Sequence, residues 1–478
     1  MTPPPSEDTR RWWILGGAST SLFVLMLDST TVPLALPSIR LELGASASGL
    51  QWVQNVYLLT LAVLVIALSR LGDMIGRRRV FQLGTIAFGA GSVICATAGS
   101  VAQLIAGRAV QGAGGAALLA VSLVVANLAL RPEERRHAAG VWAAASVVAL
   151  LIGPVLGGAA VEFVGWRLVF WLTVPITVIA LAITGFAAPV SRGEMAGPRI
   201  DFPGLLTMAL GLTAVVFSLV QGEQWGWDSA ATLGILAAGL GLLAALWFVE
   251  HRVREPIIDF GLFRTAPYLG ATAAAFALAG SYWVVLFYLP QYLELVIGHS
   301  TFASGVRLVP VIAPMVAICP FARMLVARMG ARGVMTAGMA CGTAAWVVLT
   351  RVDGDTRYIE LLPVLLLFGL GLGLVYATMW AAATAAMPRE KAGIGSGALA
   401  MSLCLGGALL LAAGGALFQH IELERRTGGS SFDAAFADGL AGASALLAAA
   451  MAAGTLLTWL CVRGAPSARE PHRHRYHL

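Results

Sequence analysis

The chain has 478 residues, of which 58% are hydrophobic and only 12% charged, with a formal net charge of +6. Soluble domains carry about 25% charged residues, so a soluble globular protein and a disordered chain are both excluded, and the positive charge has to be explained by where it falls. The five cysteines are not closely spaced in pairs, so neither a disulfide framework nor a cysteine metal motif is expected.

A helix needs about 20 apolar residues to cross about 30 Å of hydrocarbon. After a polar, Pro-rich opening from Met1 to Arg11, the sequence predicts spans at Trp12–Leu36, Leu50–Leu68, Val80–Ala98, Gln103–Leu130, Ala138–Glu162, Leu168–Ala188 and Phe202–Val220. They continue at Ala230–Phe248, Tyr268–Tyr292, Phe302–Val326, Gly333–Leu349, Leu361–Ala385, Gly393–Phe418 and Phe432–Cys461, fourteen in all. The runs are continuous rather than alternating, which argues for helices and against a β-barrel. The first is too long for the apolar part of a signal peptide and lacks a small-residue cleavage site, so it reads as a retained span.

Most of the 31 Lys and Arg lie in alternate connections: the N-terminal tail, the stretches around 70–79, 131–137, 192–199, 252–264, 323–332 and 389–391, and the C-terminal tail. Only Arg40, Arg167, Arg307, Arg351, Arg357, Arg425 and Arg426 fall on the other side, and Arg108 lies within a span. This positive-inside pattern puts both termini in the cytoplasm and assigns the charge to a membrane surface, with no nucleic-acid partner. All of these residues but Lys391 are Arg, alongside abundant Ala and Gly, an association with GC-rich bacterial genomes. The cysteines, Cys95, Cys319, Cys341, Cys404 and Cys461, lie in or at the edge of spans as small apolar filler.

Two charged connectors, Ser191–Asp201 and His251–Pro267, bracket two of the spans. The expected plan is a six-span unit over 1–190, a linker with two inserted spans over 191–267, a second six-span unit over 268–462 and a tail over 463–478, as in transporters built from two halves. A short echo supports a repeat: Leu71-Gly72-Asp73-Met74-Ile75-Gly76-Arg77-Arg78 against Leu325-Val326-Ala327-Arg328-Met329-Gly330-Ala331-Arg332. Gln221–Ser229, with Trp225 and Trp227, reads as an outer loop with interfacial aromatic anchors, and His420–Phe432 as the longest outer loop. The tail residues His472, His474 and His477 read as solvated, with anionic lipid head groups as the alternative contact.

Function should sit on the few polar groups left inside the membrane. Asp28 lies about 24 Å along its helix from Trp12, where an acid costs about 2.5–3.5 kcal/mol on insertion scales and has to face a cavity or a partner. Arg108, in the fourth span, reaches a similar depth because the first and fourth spans run in opposite directions. At about 6 Å and an effective dielectric near 20 their attraction is about 3 kcal/mol, opposed by desolvation of similar size, a balance suited to a proton carrier. The alternatives are a structural hydrogen bond for Asp28 and a brace onto backbone carbonyls for Arg108. Asp73 with Arg77, Arg78 and Arg79 forms a cytoplasmic turn, where Asp73 is placed to cap the third span. Gly153-Pro154-Val155-Leu156-Gly157-Gly158 combines a kink with small residues for close packing. There is no phosphate loop ending in Gly-Lys-Ser/Thr, no His-Glu pair at metal spacing and no Gly-x-Ser-x-Gly. Neither an enzyme nor a cofactor is expected.

Together these segments resemble the major facilitator superfamily, in its 14-span drug:proton antiporter branch. Leu27-Asp28-Ser29-Thr30-Thr31-Val32-Pro33-Leu34-Ala35-Leu36-Pro37 is similar to that branch's first-span motif, and Arg70-Leu71-Gly72-Asp73-Met74-Ile75-Gly76-Arg77-Arg78-Arg79 to the superfamily's loop motif, with Ser69 in place of the usual leading Gly. Arg108 with Gln111-Gly112 resembles the fourth-span proton-transfer motif. Gly153-Pro154 with Gly157-Gly158 resembles the fifth-span antiporter motif, with Ala149 where an earlier Gly is usual. Gly165-Trp166-Arg167, Gly226-Trp227 and Glu250-His251-Arg252 with Pro256 also fit. The resemblance implies an all-α integral membrane fold of two six-helix bundles plus two inserted helices. It implies proton binding at Asp28, tuning of the relay by Arg108 with Gln111, a conformational latch at Asp73 and Arg77, and export rather than uptake from the fifth-span motif. The expected partners are a small lipophilic substrate, protons and the lipid bilayer, with no obligate protein partner and no metal. An uptake symporter of the same fold and a non-transporting membrane receptor are the alternatives. Glu162 and Glu294 fall near outer helix ends and no clear acid lies deep in the last six spans, so a second proton site is not expected.

Overall fold

The computed structural model describes residues 7–131, 133–187, 201–253, 256–387 and 392–462. The connector at 191–200, Lys391 and the histidine-bearing tail lie outside them. Among the described residues every regular element is helical. In chain order these are α1 (Glu7–Leu43), α2 (Ala47–Ile75), α3 (Arg77–Ala96), α4 (Val101–Ala129), α5 (Arg135–Phe163), α6 (Arg167–Trp171), α7 (Thr173–Ala187) and α8 (Phe202–Trp225). They are followed by α9 (Ala230–Arg252), α10 (Ala266–Leu295), α11 (Thr301–Ile318), α12 (Ala322–Leu349), α13 (Tyr358–Ala385), α14 (Ala392–Thr427) and α15 (Phe432–Cys461).

Thirteen of the helical stretches are long and apolar enough to cross a membrane, where the sequence predicts fourteen. The difference lies in 301–349, a single helical stretch of 49 residues. At 1.5 Å per residue it would measure about 74 Å, more than two bilayer crossings. It is broken at Gly330, whose φ of 71° and ψ of 161° are non-helical. The stretch therefore makes two passes, which restores fourteen crossings. Gly76 turns the chain in the same way between α2 and α3, with φ 104° and ψ 128°. Gly76 and Gly330 are equivalent positions in the sequence echo, and both take the left-handed region that favours glycine. The resemblance between the two loops is thus a shared backbone requirement.

Five of the helices that begin on the face opposite the chain ends start with a serine cap: Ser46 accepts from Gly49 N, Ser100 from Gln103 N, Ser229 from Thr232 N, Ser300 from Ala303 N and Ser431 from Ala434 N. Each satisfies one of the backbone donors that a helix start leaves open. We call this the far face.

Two expectations need correction here. The stretch His420–Phe432 is not one long loop, because α14 continues to Thr427. Hydropathy marks where a helix leaves the membrane, not where it ends, and Glu, Leu and Arg in this stretch are good helix formers. Asp73 does not cap α3 either: the cap position is Gly76, without a side-chain bond, and Asp73 instead pairs with Arg77.

The helix neighbours repeat along the chain. α1 packs on α5 and α7, α2 on α4, and α3 on α4 and α7; α10 packs on α14 and α15, α11 on α13, and α12 on α13 and α15. The two sets meet through α5 with α11 and α2 with α14. α8 lies against both α2 and α14, while α9 packs on α8 and leaves Leu233, Leu240, Trp247 and Phe248 exposed, as expected for a lipid-facing helix.

Candidate functional site

Small residues on α4 let its neighbours come close. A methyl group on Gly112 would lie 2.7 Å from the Tyr57 carbonyl oxygen of α2, and one on Gly114 would lie 2.4 Å from the Phe88 nitrogen of α3. This close approach brings four helices around one buried point. Arg108 and Gln111, three residues apart on α4, share a helix face and meet Asp28 of α1 there.

Arg108 NH1 donates to Asp28 Oδ2 at 2.6 Å and to Gln111 Oε1 at 2.9 Å. Its Nε donates to the Val53 carbonyl oxygen at 3.2 Å, and its guanidinium lies 4.0 Å from the Tyr57 ring centroid. Asp28, Arg108 and Gln111 are each 0% exposed. Both sequence readings of Arg108 therefore hold at once: it pairs with the acid and it braces a backbone carbonyl. The separation of about 6 Å assumed from sequence is replaced by direct contact. Gln111 Nε2 reaches Asp28 Oδ1 at 3.3 Å and Ser92 Oγ at 2.8 Å, and Thr173 Oγ1 donates to Ser92 Oγ at 2.8 Å. A chain of hydrogen bonds thus runs from α1 through α4 and α3 to α7.

Ser92, Thr173 and Tyr57 were not singled out by sequence reasoning. Ser92 donates to Phe88 O, and Phe170 O lies 2.8 Å from Thr173 Oγ1 as the alternative acceptor to Ser92 for its single hydrogen, the local satisfaction usual for hydroxyls in helices, so nothing in the sequence marks them as members of a network. The arrangement can hold one negative and one positive charge away from water. Removing either partner would leave an uncompensated buried charge, a change that costs about 3–5 kcal/mol.

The fifth-span glycines lie on two contacts. A methyl group on Gly153 would meet the Thr30 hydroxyl, and one on Gly157 would lie 2.8 Å from Thr31 Cα; both are on α1, just past Asp28. One on Gly158 would lie 2.7 Å from the Thr301 carbonyl oxygen and 3.0 Å from Phe302 Cα, on α11. Pro154 abuts α11 too, where a methyl group on Gly305 would fall 2.2 Å from its carbonyl oxygen. The motif is therefore a spacer-free contact joining the helix of the acid to the opposing set of helices at the far face. Gln51 Nε2 donating to Tyr288 OH at 3.1 Å closes the same face beside α14.

Asp73 and Arg77 form a half-exposed pair, with both Nε and NH2 of Arg77 2.9 Å from Asp73 Oδ1. Both residues sit at the α2–α3 turn. Arg70 donates to the Pro256 carbonyl oxygen and Glu250 Oε2 accepts from Ile258 N at 3.3 Å, so the end of the inserted pair is tied to α2. Glu162 and Glu294 do not join the Asp28 cluster; they meet the start of α11 instead.

Residues 18–411 match the family model of the Major Facilitator Superfamily. The chain belongs to the major facilitator superfamily. It is 31% identical over 408 residues to the tetracenomycin C resistance and export protein of Streptomyces glaucescens, covering 85% of this chain and 76% of that protein. It is 35% identical over 405 residues to the cephamycin export protein of Amycolatopsis lactamdurans, covering 83% and 82%. The fold superimposes on the inward-facing, unoccupied structure of a bacterial homologue of the human lysosomal transporter Spinster with a TM-score of 0.69, at 16% identity and with 95% and 97% of the two chains covered. As a major facilitator protein with membrane-length helices throughout, the chain is a multi-pass membrane protein.

Proposed function

We propose that this chain is a proton-coupled antiporter that exports small lipophilic drugs or antibiotics across the bacterial cytoplasmic membrane by alternating access. The observation that carries the reading is the fully buried Asp28–Arg108–Gln111 cluster, a titratable acid inside a membrane bundle with no solvent contact. The export relatives support the direction of transport. Asp28 carries the proton, and Arg108 with Gln111 holds the carboxylate ready for it. Asp73 and Arg77 act as a latch at the α2–α3 turn. Gly153, Pro154, Gly157 and Gly158 form the contact that seals the far face.

The functional units are the two six-span bundles over 1–190 and 268–462, with the inserted pair within 191–267; the repeated helix neighbours support this division. The Arg distribution supports cytoplasmic termini. The far face is then the outer one, and the sealed state described here faces inward. The partners are the lipophilic substrate, protons and lipid; neither a protein partner nor nucleic acid is required.

The test is expression in a bacterial host lacking its own pumps. Cellular content of a lipophilic antibiotic should fall, and a protonophore should restore it. A rise in content on expression would instead identify an uptake symporter, and no change in transport of any compound would support a receptor.

Arg108→Lys provides a finer test of the cluster. A lysine is a compact donor without the planar fork, so it cannot serve Asp28, Gln111 and the Val53 carbonyl with the same geometry. The pH optimum of efflux is expected to move by about one unit, the effect of about 1.4 kcal/mol of altered interaction with the acid. An unchanged profile, measured in vesicles across pH, would leave Arg108 as a brace alone.

A further inference from the structure

The second set of helices opens a cavity of about 500 Å³ at the far face, a size usual for small-molecule sites. The link before α11 contributes Ile297 and His299 to its wall, and α11 contributes Arg307. The start of α13 and the link before it contribute Asp355, Arg357 and Ile359. None of these residues belongs to the Asp28 cluster. The turn before α13 is held in place. Thr356 Oγ1 donates to Asp353 Oδ1 at 2.7 Å and Asp355 N to the same oxygen at 3.2 Å, while Tyr292 OH of α10 donates to the Asp353 carbonyl oxygen at 2.9 Å. These bonds fix the backbone that carries Asp355 at the cavity edge.

The charges in this wall are under-used. Arg307 gives one hydrogen bond, from NH1 to the Ala303 carbonyl oxygen of its own helix at 3.1 Å, and lies 5.2 Å from the Tyr358 ring centroid. Its Nε is buried without a partner. A guanidinium has five N–H donors, so most of these are unused. Arg357 meets only Glu360, through Nε at 3.3 Å and with a side chain 80% exposed, a contact worth little in water. Among the described residues nothing pairs with the Asp355 carboxylate. No third cation competes, because burial and then Arg307 hold His299 below the ordinary histidine range. The cavity therefore presents two guanidinium groups with spare donors and one free carboxylate.

We infer that this cavity binds the head group of a phosphatidylethanolamine lipid from the leaflet at the far face, with the phosphate on Arg307 and Arg357 and the ammonium on Asp355. Planar guanidinium forks match the oxygens of a phosphate. An ammonium brings three N–H donors to the free carboxylate. An anionic head group would set a negative charge against Asp355, and a choline head group has no N–H to give it. The surroundings favour a lipid over a free solute. Ile359 is 61% exposed and Val306, next to Arg307, is 42% exposed, so bare apolar side chains stand on the same helix ends as the charges. Tyr358 lies between them, an aromatic of the kind that marks the membrane interface. Charges above exposed apolar residues fit the boundary between head groups and acyl chains. The site does not depend on what the protein transports.

The experiment is native mass spectrometry of the full-length protein, purified in detergent, stripped of lipid and titrated with dioleoyl phosphatidylethanolamine, phosphatidylglycerol or phosphatidylcholine. The parent protein is expected to retain phosphatidylethanolamine in preference to the other two. Asp355→Asn should lower its preference over phosphatidylglycerol about fivefold, the upper range for one exposed ion pair, because the ammonium loses its partner and the anionic lipid loses its repulsion. Arg357→Gln should weaken retention of both lipids alike, again about fivefold, since it removes a phosphate contact that the two share. Arg307→Gln should weaken both about tenfold, as for hydrogen bonds to a charged group. Asp355 and Arg357 are exposed, so their variants decide the matter even where Arg307→Gln fails to fold. No preference for phosphatidylethanolamine in the parent protein would overturn the inference, as would an unchanged preference in Asp355→Asn or unchanged retention in Arg357→Gln. Glycerophosphoethanolamine, the water-soluble head group, should not displace the lipid at equal concentration; displacement would overturn the lipid as occupant in favour of a free zwitterion. A failure of drug export leaves every one of these outcomes unchanged, so this inference and the antiporter reading fail separately.

Discussion

Asp28→Asn is expected to abolish coupled transport: drug-induced proton release from energised vesicles should fall to the level of vesicles without the protein. Asparagine keeps the size of the side chain and leaves one carbonyl oxygen for Arg108 NH1, which now bonds Asp28 at 2.6 Å. What it removes is the carboxyl group to which the proposed coupling assigns the proton. Arg108 also loses its counter-charge at 0% exposure, which should lower stability by up to about 3–5 kcal/mol. That loss is buffered because Gln111 Oε1 and the Val53 carbonyl oxygen still accept from the guanidinium and the Tyr57 ring still lies beside it. The variant should therefore insert and fold with a lowered melting temperature. Proton release at the wild-type rate by a folded variant would remove Asp28 from the mechanism.

The second large effect is expected at the seal between α5 and α11. At Gly305 even a methyl group would fall 2.2 Å from the carbonyl oxygen of Pro154 and 3.1 Å from its carbonyl carbon. The obstacle is backbone, which cannot rotate away. Gly305→Val should make the sealed state unfavourable by about 1–3 kcal/mol, enough to shift its population about tenfold per 1.4 kcal/mol. Transport should fall by at least about tenfold, because a transporter that cannot close one face cannot complete its cycle. The contact lies between the two sets of helices, so the packing within each is untouched and the protein should remain folded. Gly234→Ala is the matched control: nothing lies within 4 Å of an added methyl group there. Equal turnover in both variants would show that the α5–α11 contact does not limit the cycle.

Asp28 and Arg108 were legible in the sequence because a charge inside an apolar run is expensive and therefore rare, whereas Gln111 entered only through the resemblance to the fourth-span motif. The membrane class and the crossings followed from hydropathy alone. Helix ends did not: α14 continues to Thr427, well past the apolar run, because backbone hydrogen bonding persists after the membrane has been left. Gly330 is visible as a letter, but only its backbone angles show that it divides a 49-residue helical stretch. The two-sided role of the fifth-span glycines was hidden for another reason. A glycine reports that something comes close, not which helix does, and Gly157 and Gly158 meet α1 and α11 respectively. Glu162 was read as a boundary residue because its partner is the backbone N–H of Phe302, which has no signature in a sequence.

The position of α8 constrains how such a molecule moves. Near its far end, Phe217 packs on Trp52 of α2 at a ring separation of 5.7 Å, Gln224 donates to Ser48 at 2.7 Å, and Glu223 meets His420 of α14 at 3.2 Å. One helix is thus fastened to both rims of the α2–α14 seam, while among the described residues no helix straps the α5–α11 seam in this way. A cleft bound along one edge opens like a book rather than like parallel jaws. With the spine along α8, opening in that manner would separate α5 from α11 first, and under the proposed export a bulky molecule would pass along that flank.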